Sequence, residues 1–305
     1  MTFELTILGS SSAIPTTERY PTAQVLNVSE RFFLIDCGEG TQIQLRRMRI
    51  NFAKINHIFI SHLHGDHYFG LMGFISTRNL LGITGDLHLY AHSDLKELLQ
   101  PQLDYMKNDL RYRIVFHPLN FKNSDTIYSD KKVEVISFPL KHSIPVCGFF
   151  FREKSALPNI RKEMIAKLQI PIAQIKTIKE GAGFTSPDGK YHPHEELTLR
   201  PATPRSYAFC TDTIPWEPAA ELLQNIDLLY HEATFMADME VFAAKTLHST
   251  AQQAAQFAAK INARKLIIGH FSTRYKEVEP LLEEARCFFP ETETAIDGRK
   301  FSIEH

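Results

Sequence analysis

Residues 55–67 read INHIFISHLHGDH, an apolar run of strand character that empties directly into three histidines and an aspartate. Strand-like alternation through residues 62–66 carries His62, His64 and Asp66 to one side, and a turn at Gly65 lets His67 come round to a neighbouring point. Four such side chains in so short a span can reach two adjacent metal ions. Imidazole with carboxylate suits zinc, with manganese or iron as substitutes, and the lack of cysteine in the cluster points to an open catalytic site rather than a closed structural one. A single loop histidine is ordinarily a solvated surface group, but three with an aspartate at this spacing reverse that expectation.

Outward from this cluster the same grammar recurs. His142 follows VISFPLK, Asp212 follows SYAFCT and His270 follows KLIIG, so each ends an apolar strand. Alone, each would read as a hydrogen-bonded core or loop group; together they matter because layered α/β proteins collect their sites at strand ends. Strands are predicted at 3–9, 31–36, 55–61, 87–91, 133–140, 147–152, 206–211, 227–231, 265–269 and 294–303, and helices near 38–48, 70–82, 94–106, 249–261 and 276–288. Strands and helices mixed in this way predict a layered α/β (α+β) architecture, one domain over 1–305. Residues 153–205 differ in texture: a helix-like NIRKEMIAKLQ, a turn at SPDGK, and Pro193, Pro201 and Pro204 near the exit mark an arm inserted into that domain.

Composition narrows the class without naming a substrate. The 305 residues are 44% apolar and 23% charged with a net charge of -1, ordinary for a globular protein and without the global basic field of many nucleic-acid binders. Any polyanion must therefore meet a local patch. Cys37, Cys147, Cys210 and Cys287 are widely separated, which argues against a disulfide framework or thiolate zinc site and for a reducing cytoplasm. The amino-terminal MTFELTILGSSSAIPT lacks the basic start and apolar core of a signal peptide, and no apolar run is long enough to span a membrane.

The order H-x-H-x-D-H followed by a lone His, Asp and His resembles the metallo-β-lactamase superfamily. Within it, LGSSSAIPT, DCGEGTQ at 36–42, SHLHGDH at 61–67, HEAT at 231–234 and HST at 248–250 resemble the short form of the tRNase Z family, over almost the whole chain. The resemblance implies a four-layer αββα sandwich with two zinc ions, for which Mn2+ can substitute, along one edge of the sheets. It implies that His62, His64 and His142 hold one ion, that Asp66, His67 and His270 hold the other, and that Asp212 bridges them. Asp66 is then the proton acceptor, His248 assists the scissile phosphate or the leaving 3′ oxygen, and Glu232 orients His248. Without the resemblance, His248 reads as a surface histidine near a helix start. The remaining histidines (His57, His88, His92, His117, His192, His194, His231 and His305) are expected to be solvated or structural.

The activity so implied is endonucleolytic removal of the 3′ trailer of precursor tRNA by a cytoplasmic homodimer, with the 153–205 arm holding the tRNA. Arg46, Arg47 and Arg49, and on or beside the arm Arg152, Lys154, Arg161, Lys162, Lys167, Lys176 and Lys179, are candidate phosphate contacts, although such runs are more often solvated helix faces. After Glu153-Lys154 the chain reads SALPNIRKE where many members are Gly- and Pro-rich, so its RNA contacts are expected to differ. Two other readings compete: a dizinc hydrolase of a small phosphodiester or other ester, which would not need the arm, and a non-catalytic RNA-binding scaffold, which would not need the intact ligand set.

Overall fold

The computed structural model describes residues 2–106 and 109–304. It divides the chain into two compact units, residues 1–152 with 205–304, and residues 153–204. In the larger unit the first sheet contains β1 (Phe3–Gly9), β2 (Ala23–Val28), β3 (Arg31–Ile35), β4 (Ile55–Phe59), β5 (Leu87–Ala91) and β6 (Ile114–Pro118). The second contains β7 (Asp125–Ser129), β8 (Val133–Pro139), β9 (Cys147–Glu153), β10 (Ser206–Cys210), β11 (Leu228–Glu232), β12 (Leu266–Gly269) and β13 (Thr292–Thr294). The last strand, β14 (Lys300–Ser302), returns to the first sheet beside β1. Apart from β14 at the edge of the first sheet, each sheet runs in chain order, and β3–β6 and β10–β13 are parallel.

Alternating side chains of the two sheets meet face to face. Phe3, Leu5, Phe33, Phe59, Phe149, Phe151, Tyr207, Phe209 and Tyr230 form that buried layer. On its outer face the first sheet packs Leu34 and Ile58 against Leu45, Phe74, Leu95 and Leu99 of its helices. The second packs Phe138, Ala208 and Ile268 against Ala254, Ala258 and Leu281. The result is the four-layer αββα sandwich. Truncating a ring such as Phe59, wholly buried between the sheets, should cost about 3–5 kcal/mol.

One helix shows how the sequence sets its own boundary. Ala251–Lys260 begins where Thr250 accepts from the Gln253 amide and the Gln253 side chain accepts from the Thr250 amide, a reciprocal cap. The predicted strand over 294–303 is corrected. Two short strands, β13 and β14, flank a turn whose Asp297 accepts from Ser10 Oγ at 2.8 Å and from the Tyr20 amide at 2.8 Å. The chain must leave one sheet there to join the other, so one continuous strand is impossible.

Residues 153–204 carry their own small core of Ile160, Leu168, Ile170, Ile178, Phe184 and Leu197. Two short helices, Lys162–Lys167 and Ile172–Lys179, cover it, so NIRKEMIAKLQ is helical only beyond its first residues. The flanking sequence enters and leaves through β9 and β10, which pair antiparallel with Arg152 opposite Ser206.

Candidate metal centre

Six strands deliver the polar cluster from their carboxyl ends, where chains leaving a sheet leave room for chemistry. Asp36 follows β3, His62 follows β4, Asp212 follows β10, Glu232 ends β11 and His270 follows β12. His142 comes just after β8. Several of the turning residues have left-handed backbones: φ is 54° at Asp36, 44° at Asp212 and 58° at His270, and Ala13 and Leu247 beside them are at 57° and 58°. Conformations that cost about 1–3 kcal/mol each persist only where the surroundings fix them, and here every one contributes a contact to the cluster.

The strand-like alternation expected through 62–66 stops earlier. His64 is extended (φ -75°, ψ 143°), but Gly65–Tyr68 is a helical turn, so Asp66 and His67 project from a helix. That turn is pressed onto the exit of β3. The Cys37 amide donates to the His67 carbonyl at 2.8 Å and the Gly70 amide to the Cys37 carbonyl at 2.8 Å. A Cβ on Gly70 would lie 2.1 Å from the Gly38 carbonyl, so only glycine permits this approach.

The structure brings all seven sequence-read ligand candidates together. His62, His64, His142 and Asp212 form one group able to hold a cation, and Asp66, His67 and His270 another, with ligand atoms within 4.8 Å in each. Asp212 faces both. Its Oδ2 lies 3.5 Å from His62 Nε2 and 3.8 Å from His142 Nε2, while its Oδ1 lies 3.1 Å from His67 Nε2 and 3.1 Å from His270 Nε2. Asp66 Oδ2 lies 3.4 Å from His67 Nε2 and 3.5 Å from His270 Nε2, and accepts from the Ala13 amide at 2.8 Å.

Four of the five imidazoles are turned by a partner on the other nitrogen. His67 Nδ1 meets Asp36 Oδ2 at 2.6 Å, His142 Nδ1 the Leu247 carbonyl at 3.1 Å, His270 Nδ1 Thr234 Oγ1 at 3.0 Å and His62 Nδ1 Ser61 Oγ at 3.0 Å. Asp36 is itself fixed by the Ser61 amide at 2.7 Å and hydroxyl at 2.8 Å. Asp36, Ser61 and Thr234 lie in the DCGEGTQ, SHLHGDH and HEAT stretches, but the sequence assigns them no role, though Asp36 obeys the same rule as the ligands, a carboxylate ending an apolar strand.

A cation fits this donor set. Buried His67 Nε2 and His270 Nε2 approach Asp212 within hydrogen-bonding distance yet are not aligned to bond it, so both are orphaned as hydrogen-bonding groups but convergent as ligands. Burial disfavours charge on His67, yet Asp212, Asp66 and Asp36 crowd it and hold its pKa well above the ordinary imidazole value. Burial works against the Asp66 carboxylate too, but His67 and His270 keep it ionised far below the usual range. Carboxylates so arranged require positive charge among them.

Beside these groups, His248 Nδ1 contacts Glu232 Oε1 at 2.8 Å. Glu232 is wholly buried and accepts from the Thr213 amide at 2.7 Å and Thr234 Oγ1 at 2.5 Å. Burial pulls the His248 pKa down, but the Glu232 carboxylate outweighs it and raises the imidazole to about 9. An open cleft of about 510 Å³ leads in, with His64, Asp66, Phe69, Asp212, His248 and His270 on its walls.

The other histidines lie outside the metal-holding groups found among the described residues. His57, His88 and His117 stack on β4, β5 and β6, His92 pairs with Asp94, and His231 Nδ1 bonds the Glu232 carbonyl. His192 and His194 belong to residues 153–204, where His194 Nδ1 bonds the Ile178 carbonyl. His305 lies outside the described residues.

Comparison with known proteins adds independent findings. A family model described as Anti-Pycsar protein Apyc1 matches residues 3–158, and a beta-lactamase superfamily domain matches residues 184–271. Ribonuclease Z of Phocaeicola vulgatus is 46% identical over 302 residues, covering 99% of this chain and 98% of that protein. Ribonuclease Z of Bacteroides thetaiotaomicron is 46% identical over 303 residues, covering 99% and 96%. Among solved structures, human tRNase Z, short form, superposes with a TM-score of 0.72 at 26% identity, covering 99% of this chain and 100% of that one.

Proposed function

The chain belongs to the ribonuclease Z family of the metallo-β-lactamase superfamily and is a metal-dependent tRNA 3′-processing endoribonuclease; we propose that it removes the 3′ trailer with two zinc ions, His62, His64 and His142 holding one, Asp66, His67 and His270 the other, and Asp212 both. The observation that carries this assignment is the double facing of Asp212, one oxygen toward each histidine group. Imidazole and carboxylate without thiolate favour zinc, and Mn2+ is the expected substitute. When bound, the two ions would neutralise the scissile phosphodiester and acidify the attacking water.

The chain's own groups supply the proton traffic. Asp66, ionised and oriented by the Ala13 amide, accepts the proton of the water that attacks phosphorus. As the P–O3′ bond breaks, charge develops on the 3′ oxygen. His248, held as an imidazolium by Glu232, is the donor on the cleft wall that neutralises it.

For the RNA grip, exposed Lys162, Lys167 and Lys176 on the helices of residues 153–204 are the phosphate contacts, and Arg46, Arg47 and Arg49 are exposed on the larger unit. Free cysteines, three of them buried, accord with a reducing cytoplasm, and no helix among the described residues is long and apolar enough to cross a membrane.

The decisive experiment incubates purified protein with precursor tRNA, with and without an encoded CCA, and maps the cut. Cleavage at the 3′ end, abolished by chelation and restored by Zn2+, is expected. Cleavage that survives exhaustive chelation, or of small phosphodiesters only, would refute the assignment.

A further inference from the structure

Phe69 is an anomaly of the cleft. It is 64% exposed although it lies in the wall that also carries His64, Asp66 and His248, where the substrate is a polyanion. Nor is it loose. Its amide donates to the Gly65 carbonyl at 2.9 Å, its ring stands edge-on to Tyr68 with centroids 4.9 Å apart, and it lies so close over Gly65 that a Cβ there would be 2.2 Å from the ring. Asp66 and Phe69 are three residues apart at one helical turn, so they share a face. Across Asp66, the loop whose Ala13 amide holds the carboxylate continues to Ile14, 62% exposed.

From this placement we infer that Phe69 is a stacking platform for the nucleobase next to the scissile phosphate, a substrate-binding residue that fixes the phosphodiester against Asp66. The inference rests on the tRNA-processing function. The 3′ end of the substrate leaves the acceptor stem as a single strand, and unpaired RNA bases are characteristically held on aromatic faces, whose stacking tolerates any sequence. An aliphatic side chain would exclude water equally well but would not offer a flat ring. The ring rests over the bare Cα of Gly65, a position that any larger side chain there would deny it.

The test measures kcat and KM for F69A, F69L and F69W on precursor tRNA, and on the same RNA made abasic at the nucleotide on either side of the cut. Loss of one stacked base predicts that F69A and F69L fall about ten- to a hundred-fold in kcat/KM, mostly through KM, while F69W stays near wild type. Abasic substitution at the stacked position should depress the wild type by a similar factor and leave F69A no worse than before. Zinc content per chain should be unchanged in all variants. Equal losses for F69A on intact and abasic RNA, or an F69L as active as wild type, would overturn the inference. So would a loss that tracks dissociation of an oligomer, since the ring would then face a second copy of the chain. Failure of the wild type to cut precursor tRNA would instead overturn the function on which the inference rests.

Discussion

Asp36 touches none of the groups that would be cleaved, yet at the scale of single residues it makes the sharpest prediction. Its carboxylate sits 2.6 Å from His67 Nδ1 and takes both Ser61 donors, so it selects which His67 nitrogen faces the ligand cluster. Asp36→Asn keeps size and tolerance of a positive φ but removes the charge. Partners of this kind tune metal affinity by about 10–100-fold, so competition titration of D36N against a chelator should show weakening in that range with the fold intact. His248→Ala should behave oppositely, with zinc content retained and kcat on precursor tRNA lowered about 10²–10⁴-fold, the range for a lost proton donor. An H248A enzyme that also loses zinc would place His248 among the ligands, where Asp212, His248 and His270 do form a group able to hold an ion. The ligand candidates were legible because charge after an apolar strand is conspicuous. Asp36 has that mark too, in RFFLID, but nothing in a sequence separates a carboxylate that meets a metal from one that steadies a histidine.

At the scale of elements, adjacent strands put three imidazoles where the two sheets meet. His57 stacks on His88 at 4.9 Å and His88 on His117 at 5.2 Å, with Tyr90, Tyr128, Asp130 and Arg31 facing or near them. Burial, then the charges of His88 and His117, lower His57 to about 4, and burial lowers His117 as well. A histidine whose folded pKa lies below its unfolded value of about 6.5 binds its proton in the unfolded chain first. Its stabilising contribution is therefore complete above about pH 6.5 and lost as the pH falls toward 4. Discounted for partial exposure, the loss at His57 is about 1–2 kcal/mol. Thermal melts of metal-free protein from pH 7 to 4.5 should show His57→Phe losing less stability than wild type, and parallel curves would refute the linkage. The apolar runs of β4 and β5 were readable, but β6 lies outside the predicted strands and the pairing was not readable either, because register across β4, β5 and β6 is a tertiary outcome. The same limit explains 294–303, where the apolar pattern hid a crossing between sheets that only the assembled sandwich requires.

At the scale of the whole chain, residues 1–152 and 205–304 contain every proposed metal ligand, whereas 153–204 contain none, so the two compact units should carry separable tasks. The change of texture after Arg152 was visible in the sequence, but the divergence of SALPNIRKE from the family left its contacts with RNA unreadable. Deleting 155–200 tests the division. Arg152 and Ser206 are paired across neighbouring antiparallel strands, so the cut ends can rejoin as a short hairpin without disturbing the sheet. The residues removed include all of a separate core, Ile160, Leu168, Ile170, Ile178, Phe184 and Leu197, and none of the residues in the sandwich's own core clusters. The shortened enzyme should keep its zinc and its hydrolysis of a small chromogenic phosphodiester, because the groups proposed to move protons remain. Cleavage of precursor tRNA should collapse, and raising the salt should cost the wild type far more than the deletion, since the lost lysines are the proposed phosphate contacts that would release counterions. Unchanged tRNA cleavage by the deletion would overturn the arm as the RNA grip while leaving the metal centre untouched.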